Sequence, residues 1–235
     1  MRLFVFLFIV VAPLTMCADN LRAQEVLHSG AMRQVMKQGQ LHASIHLDTI
    51  SKKSTLNGIG PAAQLKGELL AINGRSWQAR VIGKDSVIVE ETWNVGAPFY
   101  VYNFVESWEE IAIPDSVTDL RKLESWLHLH FRQVDAPFAF RLDGVVSSAS
   151  VHVLNLPEGT RVSSHSDAHK GKVQKHLVDR EAQLLGYFSR HHQGIFTHHD
   201  SFFHLHLITS DRKLVGHVDD LQFRAGNMKL LIPRS

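Results

Sequence analysis

Short apolar-rich runs recur along this chain, some alternating with polar residues, and are broken at short intervals by turn residues. This pattern predicts strands over 65–72, 76–82, 86–92 and 98–105, then 136–142, 147–154, 184–188, 203–209, 214–221 and 228–232. Asn73-Gly74, between the first two, is the strongest hairpin signal. Gly58-Ile59-Gly60-Pro61 reads as a turn and 155–175 as a polar loop. Helical spacing appears twice. Val26, Leu27, Met32, Val35 and Met36 predict a helix over 24–38. Val117, Leu120, Leu123, Leu127 and Phe131 predict a second, capped by Asp115 or Ser116. Strands outnumber helices, so the expected fold class is α+β with mixed or antiparallel sheets. Ala-Pro-Phe precedes a strand at Ala97 and again at Ala136, a short echo of internal duplication.

The first 23 residues read differently. Arg2 is followed by an unbroken apolar run over 3–11 and by Pro13. The run is shorter than the roughly 20 residues that span a bilayer, and fits a secretory signal peptide. The expected organisation is therefore a signal over 1–23 and one domain over 24–235, secreted or periplasmic, with no membrane attachment once the signal is removed. Met16 before Cys17 argues against a lipoprotein. Cys17 is the only cysteine, so metal chemistry in the remaining chain rests on His, Asp and Glu. The formal charge is +2 and no basic block stands out, which argues against nucleic acid as a partner. A homodimer is compatible with this reading.

There are sixteen histidines, many of them between His165 and His217. His204 and His206, at i and i+2 on a strand, share a face. If Ser210-Asp211 is a two-residue turn, Thr209 pairs with Arg212 and His204 with His217. All three imidazoles then share one face, as a catalytic zinc site with an open position requires. Asp219, Asp220 and Asp211 are candidates to orient the rings. His191, His192, His198 and His199 read as a solvated loop, the alternative being a proton relay or a second metal site, and His165 and His169 as uninformative.

At these residues the chain resembles the acetolactate decarboxylases. Leu185-Gly186-Tyr187-Phe188, His204 to Arg212 and Gly216-His217-Val218-Asp219 are similar to that family's C-terminal signature. Gly58-Ile59-Gly60, Leu65-Lys66-Gly67-Glu68, Asn73-Gly74, Ala97-Pro98-Phe99 and the 137–144 block resemble its upstream segments, in family order. The resemblance implies that His204, His206 and His217 ligate Zn2+, that Glu68 is the active-site carboxylate, and that Arg141 receives the substrate carboxylate. The implied substrate is a 2-hydroxy-3-oxo acid, 2-acetolactate, converted to acetoin and CO2. Pro61-Ala62, Lys66, Phe202-Phe203 and Val215 depart from the family pattern. The family also implies a second glutamate from a C-terminal extension, whereas no glutamate follows Glu181 and Ser235 lies 18 residues after His217. The alternatives are a metal-binding relative without decarboxylase activity and a metal-dependent hydrolase on the same scaffold. A cupin would want a glutamate shortly after His-x-His.

Overall fold

The computed structural model describes residues 25–234, so the signal segment over 1–23 lies outside the described residues. The expected α+β class is observed, with largely antiparallel sheets and, among the described residues, three short α-helices. In chain order the elements are β1 (Leu27–Ser29), α1 (Met32–Gln38), β2 (Ile45–His46), β3 (Leu56–Pro61), β4 (Glu68–Ile72), β5 (Arg75–Ile82) and β6 (Ser86–Glu91). They continue with β7 (Gly96–Ala97), β8 (Tyr100–Phe104), β9 (Trp108–Ile111), α2 (Leu120–His130), β10 (Phe138–Val153), α3 (His165–Ala168), β11 (Val173–Phe188), β12 (Phe203–Thr209) and β13 (Val215–Pro233).

One sheet has the order β1-β8-β3-β4-β5-β6, and β2 and β7 form a small pair of their own. The other is β10-β11-β12-β13-β9, and β10 also pairs with β13, so four of its strands close into a ring. The main core lies between the two large sheets. Ile59, Leu70, Trp77 and Val101 from the first meet Leu185, Leu205, Leu207 and Leu230 from the second. Tyr187 crosses this core: its hydroxyl donates to the Asn57 carbonyl at 2.9 Å and also lies 2.9 Å from Oδ1 of Asn103. No helix among the described residues is long and apolar enough to cross a membrane.

Several elements differ from the sequence pattern for tertiary reasons. Residues 58–61 are strand, not turn. Gly58 is there because the Tyr100 ring packs on it; a Cβ would lie 2.5 Å from the Tyr100 hydroxyl. The 24–38 segment is split, because Leu27 pairs with Tyr102 and only Met32–Gln38 is helical. The cap of α2 is Asp119, which accepts from Lys122 N at 2.9 Å, not Asp115 or Ser116. The strands read over 136–142 and 147–154 are one strand, β10, and those over 214–221 and 228–232 are one strand, β13. Register shifts between the two keep them paired through the interruptions. Asn73-Gly74 does form the hairpin turn, both residues at positive φ, between the paired Ile72 and Arg75.

Candidate metal centre

β12 alternates as its sequence requires, and His204 and His206 face the six-stranded sheet. The ladder to β13 pairs His206, not His204, with His217. The turn is longer than two residues. Thr209 N donates to the Leu214 carbonyl at 3.0 Å, and Asp211 accepts from the Thr209 hydroxyl and from Lys213 N inside the loop. Asp211 is thus occupied with turn chemistry. The register differs from the sequence expectation by two residues, and an even shift preserves the face.

The three imidazoles converge. Nε2 of His204 lies 3.0 Å from Nε2 of His206 and 3.1 Å from Nδ1 of His217. The three ligand atoms all fall within 4.8 Å of one another, and all three residues are buried. Nδ1–H of His206 donates to the Leu69 carbonyl at 2.9 Å, which leaves its Nε2 with a free lone pair. Burial is the main force holding these rings neutral, reinforced by neighbouring imidazoles. It pushes His204 and His217 well below the ordinary histidine range and His206 down to about 3. Neutral nitrogens at this spacing are the donor set a divalent transition metal requires.

Glu68, at the start of β4, comes to the same point from the opposite sheet. Its Oε2 is 3.6 Å from Nε2 of His206, and its Oε1 accepts from Leu154 N at 3.3 Å. The side chain is 2% exposed. Burial raises its pKa well above the carboxylate range, against the opposing Leu154 hydrogen bond and with a further push from Asp219. A carboxyl group held protonated beside a metal site is equipped to give up a proton.

A cavity of about 20 Å³ adjoins His204, His217 and Glu68. His152, His165, His169 and His198 also line it, so His198 faces this cavity rather than a solvated loop, and His152 is the residue the sequence pattern did not mark. His152 is the ladder partner of His217, and its Nδ1 lies 2.8 Å from Asp219. Burial disfavours the Asp219 charge, but the His152 contact and a 2.6 Å hydrogen bond from Gln174 outweigh it and bring the carboxyl down to about 2. Asp219 therefore orients His152 rather than a triad ring. Nε2 of His198 lies 3.1 Å from Nε2 of His217. Burial takes His198 and His169 down to about 4. A wider cleft of about 310 Å³ reaches His198 and His217 from the side of Glu124 and Asp219.

Arg141 is not among the cavity residues. Its guanidinium forms a paired hydrogen bond with Asp143, at 2.9 and 2.6 Å, and lies over the Trp108 ring. The reason is the continuity of β10. Its first half, with Arg141, pairs with Leu185 and Leu231, and it is the second half, with His152, that runs beside His217.

Three converging imidazoles under a buried carboxyl, between two antiparallel sheets, make a site that could hold a metal ion. The family model for alpha-acetolactate decarboxylase matches residues 27–233, and the chain belongs to that family. The alpha-acetolactate decarboxylase of Brevibacillus brevis is 24% identical over 91% of this chain and 72% of its own length. That of Methanosarcina mazei is 25% identical over 74% of this chain, which spans 58% of that relative's length. The crystal structure of the Bacillus subtilis strain 168 alpha-acetolactate decarboxylase has the same fold. Its TM-score is 0.71 at 19% identity, over 89% of this chain and 85% of that one. A Staphylococcus aureus protein described as similar to alpha-acetolactate decarboxylase gives 0.68 at 14% identity, over 89% and 85%.

Proposed function

We propose that this protein decarboxylates 2-acetolactate to acetoin and CO2, with Zn2+ held by His204, His206 and His217. Loss of CO2 leaves the bonding electron pair on the former C2 as an enediolate, which must take up one proton. The metal, when bound, supplies a positive centre for the substrate hydroxyl and ketone oxygens. Glu68, kept protonated by burial, donates its proton to one face of the enediolate carbon and regains it from solvent. His206 holds its Nε2 toward the site through the Leu69 hydrogen bond. The observation that carries the reading is the 3.6 Å approach of Glu68 to His206 in a chain of this family. The test is acetoin release from 2-acetolactate by purified protein, abolished by a chelator and restored by zinc.

A second reading has one observation in its favour. No lysine or arginine lines the triad cavity among the described residues, so a substrate carboxylate has no fixed cation there. Under that reading the protein is a metal-binding relative without decarboxylase turnover, and it would retain zinc but release no acetoin. We also propose export directed by residues 1–23; N-terminal sequencing of the mature protein tests it.

A further inference from the structure

The triad cavity has two unlike halves. Glu68, His152, His198, His204 and His217 form one. Met32, Met36, Phe99 and Leu154 form the other, and the Phe99 ring lies 6.0 Å from that of His204, so the apolar half begins beside the metal ligands. Met32 and Met36, one helical turn apart, present the same face of α1. This helix is anchored in an unusual way. Ala31 offers no capping side chain, and the first-turn N–H groups of Met32 and Arg33 donate instead to the Ile195 and Gly194 carbonyls at 2.7 Å. Those carbonyls belong to the loop that carries His198, so the methionines and the histidine loop are fixed to one another.

A 2-hydroxy-2-alkyl-3-oxo acid has the same division. Its oxygens suit the imidazole and carboxyl half, and its C2 alkyl group has nowhere apolar to go except the α1 half. We infer that Met32 and Met36, with Phe99, form the pocket for the C2 alkyl group and set its maximum size. The inference rests on the decarboxylase reading for its substrate class. The space between α1 and the triad is narrow, so the methionine side chains decide which alkyl group fits. Methionine side chains can yield by changing rotamer, which a branched residue could not do as readily.

The experiment measures binding of two unreactive analogues, 2,3-dihydroxy-2-methylbutanoate and its 2-ethyl homologue, to zinc-loaded protein by calorimetry. With the ketone reduced, neither can decarboxylate. Met36→Ala should shift the ethyl-to-methyl affinity ratio about tenfold toward ethyl, the scale of one methylene in an apolar pocket. Met36→Phe should shift it the other way, and reads the same pocket should the alanine variant fail to fold. A ratio unchanged in Met32→Ala, Met36→Ala and Met36→Phe at wild-type zinc content overturns the inference, as does failure of the wild type to bind either analogue. A shifted ratio in a protein that releases no acetoin keeps the pocket and removes the decarboxylase reading.

Discussion

Oε2 of Glu68 and Nε2 of His206 lie 3.6 Å apart, one on β4 of the six-stranded sheet and the other on β12 of the five-stranded sheet. The site therefore exists only when the two sheets are packed, and its carboxyl is raised by the same burial that assembles it. Glu68→Gln keeps an acceptor for Leu154 N but has no proton to give. Acetoin production should fall by about 10²–10⁴-fold. Stability near neutral pH should not fall, since the folded chain no longer has to hold protonated a carboxyl that ionises when unfolded. Calorimetric melting beside a turnover assay checks both, and full activity in the variant would exclude Glu68 as the proton donor.

The neutral imidazoles set a pH dependence of the metal-free protein. The unfolded chain takes up histidine protons near 6.5, while folding holds His198 and His169 at about 4 and His206 at about 3. More protons are bound by the unfolded state in that interval. The stability is complete above about 6.5 and is lost as pH falls toward 4 and below. For His206 the slope is about 1.4 kcal/mol per pH unit while it stays neutral in the fold. Urea melts of chelated protein at pH 7, 6, 5 and 4 should show midpoints falling throughout this range. A flat profile would contradict the burial of the triad.

Metal should stabilise the folded protein through the triad. At a free zinc concentration 100 times its dissociation constant, the gain is about 2.7 kcal/mol. His206→Ala should abolish this thermal shift and the bound zinc together. Asp211→Ala should leave zinc content unchanged, because Asp211 serves the loop after β12.

The Tyr187 hydroxyl, between Asn57 and Asn103, joins the two sheets, and Tyr187 is the ladder partner of His204. Tyr187→Phe removes a buried donor, and should cost about 1–3 kcal/mol in chemical denaturation without changing zinc stoichiometry.

The triad was legible in sequence because strand geometry forgives an even error. The turn after Thr209 is longer than Ser210-Asp211 suggested, the ladder moved by two residues, and His204, His206 and His217 kept one face. Glu68 entered through family resemblance alone, since nothing local in the Glu68–Ile72 strand marks its first residue as buried. Arg141 and His152 show the opposite outcome. Reading β10 as two short strands hid the fact that its far end, not Arg141, runs beside His217. His198 and His169 lie in loop segments whose place is fixed by contacts distant in sequence, the first through α1 and the second through α3. Their histidine content was visible, but no periodicity directed it inward.

The smallness of the space beside the triad has a consequence in time rather than in energy. The narrow space beside the triad admits a small ligand more readily than a bulky chelator while the walls stay in place. Removal of a bound ion by such a chelator would wait on transient opening of those walls. Its rate would then saturate as chelator concentration rises, and a metal once seated would outlast many encounters with bulky competing ligands.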